Sequence, residues 1–95
     1  MARHKSPYLA RCEFCEQGLL RFMQCDRCRA VAGVCDECEL VWSDVRAVCS
    51  DPKLKSSSAF PRCPACGATD GIAIRLNRTQ IIRAGLQDCI RGESE

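Results

Sequence analysis

Four Cys-x-x-Cys pairs, Cys12/Cys15, Cys25/Cys28, Cys35/Cys38 and Cys63/Cys66, occupy a chain of only 95 residues. Two cysteines at this spacing form a tight turn that presents both sulfurs to one ion, and two such turns complete a closed tetrahedral Cys₄ site. Four turns therefore imply two sites and two ions per chain. They also constrain the fold: the segments between the turns must be short and must return the turns to one another in pairs. Three pairings satisfy this. The first turn can join the second and the third the fourth, the first can join the third and the second the fourth, or the first can join the fourth and the second the third.

Composition explains why such a chain needs metal. The large apolar residues number 24, and Leu, Ile, Val and Phe together supply 20 of 95 positions. That share lies barely above the range in which chains stay disordered. Small scaffolds with so thin a core need disulfides, a metal or a partner. Disulfide frameworks belong to secreted chains. The first eleven residues carry charge but no apolar run of the signal-peptide kind. No stretch approaches the length of a membrane span. A reducing cytoplasm is therefore expected, where clustered thiols are metal ligands. The formal charge of +2 falls to about −2 once eight thiolates and two divalent ions are counted. The basic total is then no argument for nucleic acid.

The expected fold class is a small metal-stabilised α+β domain with short β-hairpins, two Cys₄ zinc sites and a C-terminal helix. Residues 1–11 read as a flexible N-terminus, 12–92 as a single binuclear domain, and 93–95 as a tail. Strands are expected over 18–23, 30–34, 40–42 and 72–76, the last from the alternation in Ile72-Ala73-Ile74-Arg75-Leu76. Ser43 is positioned to cap a helical turn through Val48. The segment 50–60, with Pro52 and three consecutive serines, reads as a flexible loop without structural duty and as a partner contact. Thr79 is expected to cap a helix from about 80 to 91, with Ile82, Leu86, Cys89 and Ile90 as its apolar stripe. Gly85 within it costs about 1 kcal/mol relative to alanine.

Residues Cys35 to Asp44 (Cys-Asp-Glu-Cys-Glu-Leu-Val-Trp-Ser-Asp) resemble the second half of bacterial zinc ribbons of the transcription-factor-IIB type. There a Cys-x-x-Cys precedes Val-Trp and an acidic residue, and its partner pair lies upstream across a hairpin. Cys12-Glu13-Phe14-Cys15 would be that partner. The four-pair rhythm over 12–66 is also similar to cross-braced treble-clef domains of the FYVE type. The phosphoinositide-reading basic motif of that family is missing, since Met23-Gln24 precedes Cys25. Both resemblances imply the crossed pairing: Cys12, Cys15, Cys35 and Cys38 on one ion, and Cys25, Cys28, Cys63 and Cys66 on the other. Cys63-Pro64-Ala65-Cys66-Gly67 is similar to the turn shared by zinc ribbons and rubredoxins, which leaves iron as an alternative to zinc. All-thiolate ligation without an electron-transfer context favours zinc.

Cys49 and Cys89 fall outside the pattern and are expected to ligate nothing. Cys89 reads as a buried structural thiol and Cys49 as a half-exposed one. His4 is the only histidine. Four complete Cys₂ turns leave no open coordination position, so no enzymatic role for the metal is expected. The reading that follows is a non-enzymatic module that binds another protein, as an adaptor. Two alternatives remain at this level. Arg21, Arg27 and Arg29, with Phe22 or Trp42 as stacking surfaces, would suit a nucleic-acid-binding ribbon. Oxidation of the cysteine pairs would suit a redox switch that expels its metal.

Overall fold

The computed structural model describes residues 5–94. Among the described residues there are seven strands and two short helices: β1 (Ser6–Arg11), β2 (Leu19–Cys25), β3 (Val31–Cys35), β4 (Leu40–Trp42), α1 (Val45–Ser50), β5 (Ser58–Ala59), β6 (Ile72–Arg75), α2 (Arg78–Arg83) and β7 (Gly92–Ser94). A single 3₁₀ turn, Gln87–Cys89, precedes β7. The strands join one antiparallel sheet in the order β5-β4-β3-β2-β1-β7, with β6 also on β2. β1 runs beside the first half of β2, through Tyr8↔Arg21 and Arg11↔Leu19. β6 takes the second half, through Met23↔Arg75 and Cys25↔Ile72.

The alternation of side chains across a strand divides the buried residues into two clusters. Leu20 and Phe22 of β2, Cys35 of β3 and Trp42 of β4 gather with Leu9, Val48, Ile81 and Cys89. Met23 and Cys25 of β2, Ala32 and Val34 of β3 and Val41 of β4 gather with Cys63 and Ile72. β2 is thus buried on both faces, which explains why its apolar residues run almost without interruption.

Several boundaries differ from the expectation, each for a local reason. Residues 6–11, expected within a flexible lead-in, form a strand because Leu9 and Ala10 are buried against β2 and because Pro7 faces Glu93 of β7. Residues 1–4 and 95 lie outside the described residues. The tail expected from 93 is instead the end of β7, held by the Ser6↔Ser94 and Tyr8↔Gly92 pairs. The 50–60 segment has a structural role. The Trp42 indole Nε1 donates to the Leu54 carbonyl at 2.6 Å, the Ser57 amide donates to the Val41 carbonyl, and Ser58–Ala59 pair with β4.

Both helices start one or two residues from the expected caps. Asp44, not Ser43, caps α1 by accepting from the Ala47 amide. Asn77, not Thr79, caps α2, in a reciprocal capping box with Gln80. The expected C-terminal helix to 91 stops at Arg83. Gly85 takes a left-handed φ of 77°, the Leu86 amide reaches the Ile81 carbonyl, and the Gly85 amide reaches the Ile82 carbonyl. That is a Schellman ending, so Gly85 terminates the helix instead of weakening its middle. The apolar stripe shifts accordingly: Ile81 is fully buried, whereas Ile82 is exposed.

Candidate metal centres

Cys12 and Cys15 lie in the turn between β1 and β2, and Cys35 and Cys38 in the turn between β3 and β4. Cys25 and Cys28 form the β2–β3 turn, and Cys63 and Cys66 form the turn ahead of β6. β2 and β3 are antiparallel, so consecutive turns fall at opposite ends of the hairpin and alternate turns fall at the same end. A strand of seven residues, at about 3.3 Å each, separates the two ends. The grouping follows from this topology. Cys12, Cys15, Cys35 and Cys38 bring their four sulfurs within 4.8 Å of one another, and so do Cys25, Cys28, Cys63 and Cys66. No helix contributes a sulfur to either quartet.

Sulfur separations test whether a metal ion suits these quartets. Across the first, Cys12–Cys38 is 3.8 Å and Cys15–Cys35 is 3.6 Å. Across the second, Cys25–Cys66 is 3.7 Å and Cys28–Cys63 is 3.6 Å. A tetrahedron with sulfurs about 2.3 Å from its centre has edges of about 3.8 Å. A disulfide would need about 2.05 Å. These separations match the edge of such a tetrahedron, and with all four sulfurs of each quartet within 4.8 Å of one another the quartets are positioned to bind two metal ions.

All four turns share one backbone construction. The amide four residues after the first cysteine returns to that cysteine's carbonyl: Glu16 to Cys12, Arg29 to Cys25, Glu39 to Cys35 and Gly67 to Cys63, at 2.9–3.2 Å. The residue after the second cysteine is left-handed every time, with φ of 59°, 67°, 62° and 79° respectively. Only the fourth turn uses glycine there. The other three hold a side chain in a conformation that costs roughly 1–2 kcal/mol, so the turn is set by its cysteines and hydrogen bonds more than by a permissive residue. In each turn the first cysteine is buried and the second is more exposed, and Cys28 and Cys66 of the second quartet face solvent.

Backbone amides converge on the sulfurs. Gly18 N donates to Cys15 Sγ at 3.4 Å, Arg27 N and Cys28 N to Cys25 Sγ at 3.3 and 3.4 Å, and Glu37 N and Cys38 N to Cys35 Sγ at 3.4 Å. Amide donation favours thiolate. The Gln17 and Gly18 amides hold Cys15 down at about 6. The Cys28 amide, against the opposing effect of burial, holds Cys25 at about 7. Burial pushes Cys35 up to about 12 and raises Cys38. Four anions cannot share so small a space without a cation, so sulfurs without metal must keep protons, and a divalent ion would displace them. Metal affinity should therefore weaken as protons compete. Chelator competition from about pH 7 toward about pH 5 should show a steep, monotonic loss of affinity; a flat profile would exclude thiolate ligation.

The first quartet is braced by an ion pair between a buried arginine and a more exposed aspartate. Asp36, between Cys35 and Cys38, accepts from the Leu19 amide at 2.9 Å and from Arg21 Nε at 3.0 Å. Arg21 is only 2% exposed, and its Nη1 donates to the Ser6 carbonyl and hydroxyl and to the Ser94 carbonyl. It thus links the third turn to β1 and β7. Arg21→Met should cost about 1–3 kcal/mol, because several partly buried acceptors lose a charged donor. Urea denaturation of the metal-loaded variant would measure this.

Sequence reasoning missed two groups at these centres. Gly18 and Gly71 each lie directly against a quartet sulfur, and the pairing of Arg21 with Asp36 crosses 15 positions. Neither has a local signature beyond the presence of small residues near the turns. Fold and site together define a small, mostly antiparallel domain with two cysteine quartets positioned to bind metal. Comparison with protein families, curated proteins and solved structures finds no match for this chain.

Proposed function

We propose that the chain is a binuclear zinc-binding module of the zinc-ribbon type that works by contacting another protein, without catalysing a reaction. The observation that carries the metal reading is the two sets of four sulfurs, each within 4.8 Å of one another and with separations of 3.6–3.8 Å across the pairs. Cys12, Cys15, Cys35 and Cys38 would hold one ion, and Cys25, Cys28, Cys63 and Cys66 the other. All-thiolate donors in a tetrahedral cage suit zinc, which supplies charge neutralisation and cross-linking and needs no redox change. A closed set of four sulfurs leaves no position for substrate, which supports a structural role.

Protein is preferred over nucleic acid as partner because four of the five residues that would read nucleic acid are paired or buried. Arg21 is buried on Asp36, and Arg27 pairs with Asp70 and Asp26. Phe22 and Trp42 are both buried, so neither offers a stacking face. Among the described residues the exposed large apolar side chains are Phe14, Leu54 and Ile82. Leu54 of the 50–60 segment and Ile82 on the outer side of α2 mark the contact surface we favour. No helix among the described residues is long and apolar enough to cross a membrane, and we place the protein in the cytoplasm.

Two measurements test this reading. Elemental analysis of protein purified without added metal should give two zinc equivalents per chain; one equivalent, or mostly iron, overturns the metal assignment. Affinity capture with the zinc-loaded chain should recover a protein whose binding is lost with Leu54→Asp and Ile82→Asp while both zinc ions stay. Binding to RNA or DNA that falls steeply with salt, and that needs Arg29, would instead establish the nucleic-acid alternative.

A further inference from the structure

Cys49 and Cys89 are 40 positions apart, and no motif relates them, yet the fold places them side by side. Cys49 sits in the last turn of α1, half-buried. Cys89 ends the 3₁₀ turn and is 4% exposed. The Cys49 thiol is oriented toward the Cys89 carbonyl, with Sγ 3.8 Å from the oxygen, and Cys49 packs on the same cluster that buries Cys89. Arg46, one turn earlier in α1, fixes the approach. Its Nη1 meets Asp88 at 2.9 Å and its Nη2 donates to the Gly85 carbonyl. The Cys89 thiol is pushed up to about 11, first by burial and then by its hydrogen bond with the Cys49 side chain. Both sulfurs also act electrostatically on the Arg46 guanidinium.

We propose that Cys49 and Cys89 form a reversible dithiol–disulfide pair, oxidised by exchange with a low-molecular-weight disulfide of the glutathione class and separate from the metal quartets. Accessibility assigns the roles. Cys49, the half-buried thiol, loses its proton and attacks one sulfur of the small disulfide. That S–S bond breaks, a thiolate leaves and takes up a proton, and a mixed disulfide remains on Cys49. Cys89, shielded from the small reagent but beside Cys49, then gives up its proton and attacks the Cys49 sulfur. A second small thiol leaves. Two protein thiols are oxidised to one disulfide, and one small disulfide is reduced to two thiols.

The position of the pair gives the cross-link a consequence. The chain between Cys49 and Cys89 carries β5, the turn with Cys63 and Cys66, β6 and α2. Half of the second quartet therefore lies inside the loop that the disulfide closes. Without it, α1 and the 85–89 turn are joined by an exposed ion pair, the Arg46–Gly85 hydrogen bond and the long Cys49 thiol–Cys89 carbonyl contact, together with apolar packing. Sulfurs committed to a metal ion are poor nucleophiles toward a disulfide, whereas Cys49 and Cys89 have no such commitment. The peripheral pair should therefore react first.

The test is exposure of the full metal-loaded chain to excess oxidised glutathione, followed by intact mass, peptide mapping and metal content. The expected product has lost two hydrogens, carries a single 49–89 cross-link and retains all its metal. Cys89→Ser should stop at a stable glutathionyl adduct on Cys49, and Cys49→Ser should remain unmodified. If Cys89→Ser fails to fold, Cys89→Ala should give the same adduct. A persistent adduct on Cys49 in the unaltered chain overturns the proposal, as does absence of reaction. Disulfides among the quartet cysteines with release of metal overturn it equally, and would place redox sensitivity in the metal centres instead.

Discussion

Removing the metal from this protein should abolish cooperative unfolding altogether. With a chelator present, the thermal transition seen by circular dichroism should flatten and the amide spectrum should collapse toward that of a disordered chain. The reason is where the eight cysteines stand. Cys12, Cys25, Cys35 and Cys63 are all buried, and each occupies a position that a larger apolar side chain would fill in an ordinary core. Each is also the hinge of a turn, and three of those turns hold a non-glycine residue in left-handed backbone. A structural zinc typically contributes about 10–16 kcal/mol of apparent binding free energy, against a net stability of about 5–15 kcal/mol for a whole domain. Two such ions exceed anything the remaining core can supply. The loss should also be ordered. Cys28 and Cys66 are exposed, whereas the first quartet has no exposed member, so the second ion should leave first and the release should be biphasic. Retention of a sharp transition after complete metal removal would show that the two apolar clusters suffice.

Much of this arrangement was legible in the sequence because metal ligation is a strong local signal. The four turns could be read from spacing alone, and the strands between them from short apolar runs bounded by cysteines. The crossed grouping came only from a resemblance, but the strand pairing underlies it. The antiparallel β2–β3 hairpin sends the first and third turns to one end, and the fourth turn reaches the second because β6 pairs with the end of β2. The sequence was least informative where distant segments complete a local element. Residues 6–11 are a strand only because β2 and β7 flank them, and β7 is a strand only because β1 is there. The apolar positions of 80–91 fit one long helix, and a single left-handed glycine redirected the chain. Arg21 looked like a surface cation, since nothing in its own segment announces that Asp36, Ser6 and Ser94 enclose it. The same blindness applied to Cys49 and Cys89, whose proximity is a product of tertiary packing.

The second large effect should come from adding one methyl group beside a quartet. Gly18 precedes β2, and a Cβ built on it overlaps the Cys35 sulfur outright, with Asp36 Oδ1 and Glu37 Cβ at 3.0 Å. Gly71 precedes β6, and its Cβ would stand 2.8 Å from Cys25 Sγ and 2.9 Å from Cys63 Cβ. Both contacts are too close for atoms that cannot move aside, and here the neighbours are turn atoms whose positions the quartet itself fixes. Neither glycine is needed for a left-handed φ, so the absence of a side chain is what matters. A supporting group around a metal site typically changes affinity by about 10- to 100-fold. Gly18→Ala, with the more severe overlap, should reach or exceed the upper end of that range. The effects should be local: Gly18→Ala weakens the ion on Cys12, Cys15, Cys35 and Cys38, and Gly71→Ala the ion on Cys25, Cys28, Cys63 and Cys66. Cobalt substitution, with its thiolate charge-transfer absorption followed during chelator titration, would separate the two events. Each variant should lose the phase assigned to its own quartet and keep the other. Loss of both phases together in either variant would show that the quartets, joined through β2 and β3, bind as one cooperative unit. Unchanged titrations would mean that the turns can open enough to admit a methyl group.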